Sequence, residues 1–253
     1  METDWPRQRR AIGRDAIGVG IAVGMFGLSF GALSIASGLN IWQTVVLSTV
    51  MFTGGSQFAF IGVLGSGGSP LAAAAAALLL GARNTFYGVA MAATLRPKGW
   101  RRIAAAHLTI DESTAMSLAK TDPEEPRAAR MAFWATGLAV FVGWNLATIV
   151  GALGAASLGD PGRWGLDAMV PAAFLALLWP RLRTRMNTMV ALVAAVVAII
   201  ASFVLPPGIP VLLGGAVAVI VALGWSSPEA TELIGAASDE RDDPLGSSHG
   251  GAT

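Results

Sequence analysis

The chain has 253 residues, of which 54% are hydrophobic and 13% charged, with a formal net charge of +1 and a mean hydropathy of +0.61. Soluble domains carry about one quarter charged residues, so this composition excludes an ordinary soluble domain and predicts an all-α, polytopic integral membrane helical bundle. The charges lie in short clusters between apolar blocks, which gives no indication of nucleic-acid binding. With no cysteine and two histidines, we expect no cofactor, thiol nucleophile or metal site.

The N-terminal segment predicts the orientation of the chain. Residues 1–14 are polar and carry four arginines, so the positive-inside rule predicts a cytoplasmic tail. The first membrane helix is expected from about Asp15 to Ser37, and residues 15–225 are expected to form the membrane domain. Two pairs of glycines in this helix are four residues apart, which places each pair on one face and predicts close packing against another helix; they are Gly20 with Gly24 and Gly27 with Gly31.

The second apolar block, about Ile41 to Leu64, is interrupted by the polar stretch Phe52–Phe58, which contains two adjacent glycines. Hydrocarbon offers no hydrogen-bonding partners, so polar groups at this depth must face protein or a water-filled cavity. One interpretation is a broken helix that presents polar groups to a small solute. The candidate residues are then Thr53, Gly54, Gly55, Ser56 and Gln57. The alternative is a seam of small residues that only packs against another helix.

The third block, about Leu71 to Leu95, contains Arg83 and Asn84 near its middle. An arginine at mid-depth costs about 3 kcal/mol on insertion scales, so it is expected to have a partner or a function. The small and apolar residues on both sides favour an internal position, which makes Arg83 and Asn84 candidate solute-binding residues. The alternative is that the block consists of two shorter pieces, with Arg83 at a membrane interface.

The basic segment Arg96–Arg102 is also expected to be cytoplasmic. Three full crossings from a cytoplasmic N-terminus would place this segment outside. The simplest resolution is that either the second or the third block enters the membrane and returns, and Gly54-Gly55 is the natural place to turn. The sequence therefore predicts about six to eight membrane segments, including one that is broken or re-entrant.

The stretch from Ile103 to Leu118 lies between two basic clusters, so it is expected to start and end on the same side of the membrane. Charge alone favours an amphipathic surface helix with Asp111 and Glu112 in water and His107 at the membrane surface. The alternative is a short re-entrant segment in which one carboxylate pairs with Arg83. Such a carboxylate is a candidate for proton coupling.

The remaining apolar segments predict helices at about 132–153, 166–179, 189–205 and 209–224, with a tight turn at Pro206–Gly208. Residues 226–253 are acidic and rich in glycine, serine and proline, which predicts a disordered C-terminal tail. The sequence contains neither a P-loop nor a dinucleotide-binding fingerprint, so nothing in it indicates ATP hydrolysis.

The order of these motifs resembles that of the AzlC-type branched-chain amino-acid permease family over about residues 18–225. The stretches that carry the resemblance are Phe26–Gly31, Phe52–Phe58, Arg83–Gly88 and Thr109–Glu112. Two positions depart from the expected family pattern. Gly81-Ala82-Arg83-Asn84 stands where Asn-Leu-Arg-His is expected, and Ile110 stands where threonine is expected before the acidic pair. These departures concern the substrate more than the fold.

The resemblance implies a large permease subunit, not an enzyme, that exports branched-chain amino acids across the plasma (inner) membrane. It would function with a small AzlD-type membrane subunit in the lipid bilayer, driven by the membrane potential or a proton gradient. The polar stretch after Phe52 and the pair Arg83 and Asn84 would bind the amino acid. Asp111 or Glu112 would serve its amine or carry the coupled proton.

Two other classes of protein stay open at this stage. One is the membrane subunit of an ABC-type importer, which would have no solute site of its own and would co-purify with an ATPase. The other is an intramembrane serine protease, in which Ser56 would be the nucleophile and His107 the base. The expected surface position of His107 speaks against the protease.

Overall fold

The computed structural model describes residues 5–122, 126–158 and 182–224, together with positions 172, 175, 178 and 179. All regular structure in these residues is helical, which confirms the predicted all-α class. The helices are α1 Trp5–Ala36, α2 Ile41–Val50, α3 Gly55–Gly65, α4 Pro70–Gly81, α5 Arg83–Leu95, α6 Trp100–His107, α7 Asp111–Leu118, α8 Arg127–Ser157, α9 Arg185–Ser202 and α10 Ile209–Gly224. The helix predicted at 166–179 lies mostly outside the described residues, and the tail 226–253 lies wholly outside them.

Three of these helices, α1, α8 and α9, are long and apolar enough to cross a membrane. α1 begins at Trp5 and not at the predicted Asp15, because the arginine-rich segment continues the helix beyond its apolar part. On this extension, Ile12 is buried against Ala128 and Ala132 of α8. The segment predicted as a polar tail is therefore largely helical.

The paired glycines of α1 face α8 and allow the two backbones to touch. The four glycines are Gly20, Gly24, Gly27 and Gly31. A Cβ added to Gly20 would lie 2.8 Å from the carbonyl carbon of Ala139, and one added to Gly31 would press on the carbonyl oxygen of Thr148. Because the residue numbers rise together along the two helices, α1 and α8 run parallel. The predicted close packing at these glycines is confirmed.

This parallel pair defines two ends of the bundle. At the near end α1 and α8 begin, and the Arg127 guanidinium lies 4.0 Å from the centre of the Trp5 ring. At the far end α1 stops at Ala36 and α8 stops at Ser157. The two basic segments that precede the apolar parts of α1 and α8 therefore lie at the same end, as their charge predicts.

α2 and α3 form the predicted re-entrant segment. α2 starts at the far end and runs beside α8, where Ser48 Oγ donates a hydrogen bond to Thr148 Oγ1 at 3.3 Å. The helix breaks at residues 51–54. α3 then returns to the far end, where a Cβ on Gly65 would lie 2.9 Å from Ser37 Oγ. The second apolar block therefore enters and returns, and it turns at the predicted glycine pair.

α4 and α5 together pass from the far end to the near end. Ala82 separates the two helices with helical backbone angles, φ −55° and ψ −29°. At the near end, Arg130 Nε donates to the carbonyl oxygen of Thr94 at 2.7 Å, which joins the end of α5 to the start of α8. The basic segment 96–102 therefore lies at the same end as the start of α1, and this resolves the count of crossings as predicted.

α6 and α7 form a second re-entrant pair, which enters from the near end. The ring of His107 at the end of α6 lies 5.5 Å from the ring of Phe141, in the middle of α8. α7 runs back to the near end, where Ser117 Oγ donates to the carbonyl oxygen of Ala129 at 3.0 Å. The expected surface helix, with His107 at the surface and Asp111 and Glu112 in water, is wrong. The segment bears charges but buries its small and hydroxyl residues against α8.

α9 and α10 form an antiparallel pair, in which a Cβ on Gly214 would lie 3.3 Å from the carbonyl oxygen of Ala194. Their connecting turn lies at the far end, where the carbonyl oxygen of Pro207 would be 3.1 Å from a Cβ on Gly68. Gly208 has a φ of +97°, which glycine adopts at little cost. The tight turn predicted at this position is confirmed.

Replacing Gly31 by alanine should destabilise the protein. Alanine normally stabilises a helix interior over glycine by about 0.5–1 kcal/mol. Here the new methyl group would collide with the Thr148 carbonyl oxygen, and overpacking costs about 1–3 kcal/mol. Gly18→Ala is the matched control, because no described residue comes within 4 Å of a Cβ there. We expect a lower melting temperature in detergent for Gly31→Ala alone; equal melting temperatures for the two variants would contradict the close contact.

Candidate functional site

Each re-entrant pair has a tip, which is the break between its two helices: residues 51–54 form the first tip and residues 108–110 the second. Both tips lie next to the break between α4 and α5, beside the middle of α8. Between these elements lies a cavity of about 370 Å³. Its lining comprises Val23, Phe26, Phe52, Thr53, Gly54, Gly55, Phe58, Leu80, Arg83, Ile110, Asp111, Glu112, Val140, Trp144 and Leu178. Breaks in three chain segments therefore converge on one internal space.

The first tip is shaped by a glycine and held by one amide. Gly54 has a φ of +58°, which residues with side chains rarely adopt, so the turn requires glycine. Gln57 is fully buried. Its Oε1 accepts from the Gly54 N–H at 3.2 Å, and its Nε2 donates to the carbonyl oxygens of Leu47 and Ser48 at 3.2 and 3.3 Å. The amide thus satisfies backbone groups that the break exposes in α2 and α3.

Ser113 has the equivalent role at the second tip. Its Oγ accepts from the Ile110 N–H at 3.1 Å and donates to the Leu108 carbonyl oxygen at 2.6 Å, so it joins the end of α6 to the start of α7. The sequence analysis missed this residue, because the break at 108–110 contains neither glycine nor proline. The signal that could have found it is the cluster of hydroxyl residues around the acidic pair.

A salt bridge connects the second tip to the break between α4 and α5. Arg83 Nη1 donates to Asp111 Oδ2 at 2.8 Å, and the two side chains are 29% and 31% exposed. The other amino group of Arg83 faces the first tip, since Nη2 would lie 3.6 Å from a Cβ on Gly55. Arg83 is therefore internal to the bundle and has a carboxylate partner. The third block does consist of two shorter helices, as the alternative held, but Arg83 lies at their junction on the cavity.

The site offers binding partners for both signs of charge. Two helices begin at the cavity, α3 at Gly55 and α7 at Asp111, and their first N–H groups have no acceptor within the helix. The partial positive charge at the start of α3, together with Arg83, favours an anionic group. Glu112 also lines the cavity, and no described residue forms a salt bridge with it. This carboxylate favours a cationic group.

An aromatic cluster forms the apolar part of the lining. The rings of Phe30 and Trp144 are stacked with their centres 5.9 Å apart, and Phe58 meets them edge-on at 5.7 and 6.2 Å. Phe58 and Trp144 line the cavity directly, whereas Phe30 lies behind them. Nothing in the sequence predicted this aromatic lining, because aromatic residues in a membrane helix face lipid as readily as they face a cavity.

The structure brings six of the residues predicted for the site together on the cavity: Thr53, Gly54, Gly55, Arg83, Asp111 and Glu112. Three others are not part of its described lining. Gln57 uses its amide on the backbone. Ser56 is buried against α4, where a Cβ on Gly81 would lie 3.2 Å from its Oγ. The side-chain oxygen of Asn84 is buried without a hydrogen-bond partner among the described residues.

The geometry does not support the serine protease alternative. A serine nucleophile needs a base within hydrogen-bond reach. Ser56 Oγ makes no hydrogen bond with any described residue. His107 packs instead between the rings of Phe52 and Phe141, with centre distances of 5.9 and 5.5 Å.

A helical bundle whose broken helices line a cavity with charged side chains and an apolar wall, beside the middle of its long helices, is the architecture of a membrane transporter. Comparison with known families leads to the same class. The chain belongs to the AzlC family: the family model described as AzlC protein matches residues 18–158, which is more than half of the chain. The matched range contains both re-entrant pairs and all of the cavity lining except Leu178. Family membership points to a transporter and not to an enzyme.

The chain is also similar to a protein of Helicobacter pylori that is described as an uncharacterized membrane protein. The two are 24% identical over 176 residues, which cover 70% of this chain and 76% of that protein. The description agrees with the membrane location that the apolar helices indicate. No solved structure gives a significant match to this chain.

Gln57→Leu should destabilise the protein although it keeps the size of the side chain. The change leaves the carbonyl oxygens of Leu47 and Ser48 and the N–H of Gly54 without their partner, and each unsatisfied buried group costs about 1–3 kcal/mol. Gln43→Leu is the matched control, because Gln43 is exposed and accepts only from the Asn40 N–H at the start of α2. Thermal unfolding in detergent should separate the two variants by several degrees; similar losses in both would show that Gln57 does not hold the break.

Proposed function

We propose that this protein is a secondary-active transporter that exports branched-chain or similar small neutral amino acids. The observation that carries the proposal is the combination, in one cavity at mid-depth, of both signs of charge with an aromatic and aliphatic wall. An amino acid is a zwitterion, so a desolvated site for it must offer opposite partners to its two ends. Few other small solutes require a positive group, a negative group and an apolar wall at once.

The carboxylate of the solute would bind between Arg83 and the start of α3 at Gly55. The distance of 3.6 Å between Arg83 Nη2 and a Cβ on Gly55 means that one carboxylate can reach both the guanidinium and the first N–H groups of the helix. The salt bridge of Arg83 to Asp111 uses Nη1 and leaves the Nη2 side directed at this position.

The ammonium group would bind at the acidic pair, and the side chain would pack against Phe58, Val140 and Trp144. A volume of about 370 Å³ is near the lower end of the range of about 300–1,000 Å³ that is usual for ligand sites, which suits a small solute. The wall offers methyl groups and aromatic faces but no hydrogen-bonding group other than the indole of Trp144, which favours branched aliphatic side chains.

The resemblance supports three further parts of the proposal. The protein would function with a small AzlD-type membrane subunit, it would reside in the plasma (inner) membrane, and solute movement would be driven by the membrane potential or a proton gradient. The near end would face the cytoplasm, which the arginines at the start of α1 and the basic segment 96–102 support. Transport by this chain with the small subunit, without an ATPase, would exclude an ABC-type importer subunit.

Arg83→Ala should abolish most transport. Loss of a charge-assisted hydrogen bond costs about 1.5–3 kcal/mol, which corresponds to roughly a ten- to hundredfold loss of solute binding. The measurement is leucine uptake into everted membrane vesicles at matched expression. Arg102→Ala is the control, because Arg102 is exposed at the near end and far from the cavity. Full transport by Arg83→Ala would remove this residue from the site.

Thr53→Cys should react with a polar thiol reagent and be protected by leucine. The chain contains no cysteine, so single cysteines can be introduced without removing any. Thr53 lines the cavity, whereas Ser48, on the preceding helix, is fully buried against α8. We expect Ser48→Cys to stay unmodified. Modification of Thr53→Cys that leucine does not slow would place the solute elsewhere.

A further inference from the structure

We propose that the ammonium group of the solute and one coupled proton bind alternately to the carboxylate of Glu112. The inference rests on the proposed function and deepens it, because it names the residue that links solute movement to a proton gradient. It makes the protein a proton–solute exchanger in which both cargoes compete for one carboxylate.

The two adjacent carboxylates differ in their surroundings. Asp111 is held by Arg83 at 2.8 Å, so the charge of one compensates that of the other. Glu112 is half-buried on the same cavity, and no described residue forms a salt bridge with it. Of the acidic side chains on the described lining, Glu112 is therefore the one whose charge is available to a ligand.

The charges on the described lining indicate that an ionised Glu112 requires a positive partner. Among the described lining residues, the side-chain charges are those of Arg83, Asp111 and Glu112, so the described lining has a formal charge of −1 when Glu112 is ionised. His107, at the end of α6, packs against Phe52 and is not part of the described lining. A carboxylate without a salt bridge in a partly buried site is costly, although the first N–H groups of α7 and the nearby Arg83 offset part of that cost. A bound ammonium group removes this cost by pairing, and a proton removes it by neutralisation.

These two states give an exchange cycle. With solute bound, Glu112 is ionised and pairs with the ammonium group, while Arg83 and the start of α3 take the carboxylate. When the solute leaves on one side of the membrane, a proton from the water on that side adds to a carboxylate oxygen of Glu112. When the next solute enters from the other side, this proton leaves to the water there. The O–H bond of Glu112 is the only bond made or broken, and one proton moves opposite to each solute.

The test compares two ligands across a pH series, using the purified full-length protein together with its small subunit where one co-purifies. Leucine competes with the proton, so its apparent dissociation constant should rise as the pH falls, by at most about tenfold per pH unit. 2-Hydroxy-4-methylpentanoate has a hydroxyl in place of the ammonium group, and ionised Glu112 repels its carboxylate. Its binding should therefore strengthen as the pH falls. At low pH, leucine binding should release about one proton into a weakly buffered solution.

Glu112→Gln should remove both pH dependences, weaken leucine binding and stop proton-driven accumulation in vesicles. The wild-type measurements test the inference even if this variant fails to fold. If wild-type protein binds leucine with no pH dependence and releases no proton, the inference is wrong while the proposed function stands. If neither leucine nor another neutral amino acid binds at any pH, both proposals fall together.

Discussion

The salt bridge between Arg83 and Asp111 is the interaction on which the centre of the bundle depends. Either charge alone at mid-depth would cost about 3 kcal/mol on insertion scales, and removing one partner would leave the other uncompensated. The pair joins the break between α4 and α5 to the second tip, and Arg83 also lies beside the first tip at Gly55. One guanidinium therefore joins two interruptions of the chain and lies beside the third, around a single cavity.

The two re-entrant pairs repeat one plan in opposite orientations. α1 is followed by α2 and α3, which enter from the far end, and the α4–α5 passage is followed by α6 and α7, which enter from the near end. At each tip, the third residue of the helix that follows the break accepts from the backbone: Gln57 from Gly54 and Ser113 from Ile110. This inversion brings two helix starts to the same depth, which concentrates free N–H groups and positive potential at one site.

The sequence predicted the first break directly and offered the second only as the alternative to a surface helix, for a physical reason. Glycines at Gly54-Gly55 reveal a turn locally, and the positions of the basic segments require one block to return. At residues 108–110 the break depends on Ser113 reaching back to the backbone and on Arg83, whose partner is 28 residues away. The local pattern contains neither contact, so charge alone favours placing the acidic pair in water, and the re-entrant alternative with its Arg83 pair is the one that the structure shows. The same limit applies to Gln57. Its polarity predicts that the amide has hydrogen-bond partners inside the protein, but it does not predict whether those partners are the solute or the backbone.

The packing divides the bundle into a part suited to stay fixed and a part suited to move. α1 and α8 touch backbone to backbone between Gly20 and Gly31, and such a contact has few side chains that could repack after a shift. The re-entrant pairs contact α8 mainly through side chains, which can repack after a shift. Ser48, Thr49 and Ser117 form hydrogen bonds with it, and the rings of Phe52, Phe58 and His107 pack against its aromatic residues. Alternating access therefore requires the smallest rearrangement if α1 and α8 stay together while the tips move. Under the proposed function the gate and the binding site would then coincide, because the salt bridge between Arg83 and Asp111 links the elements that would have to separate.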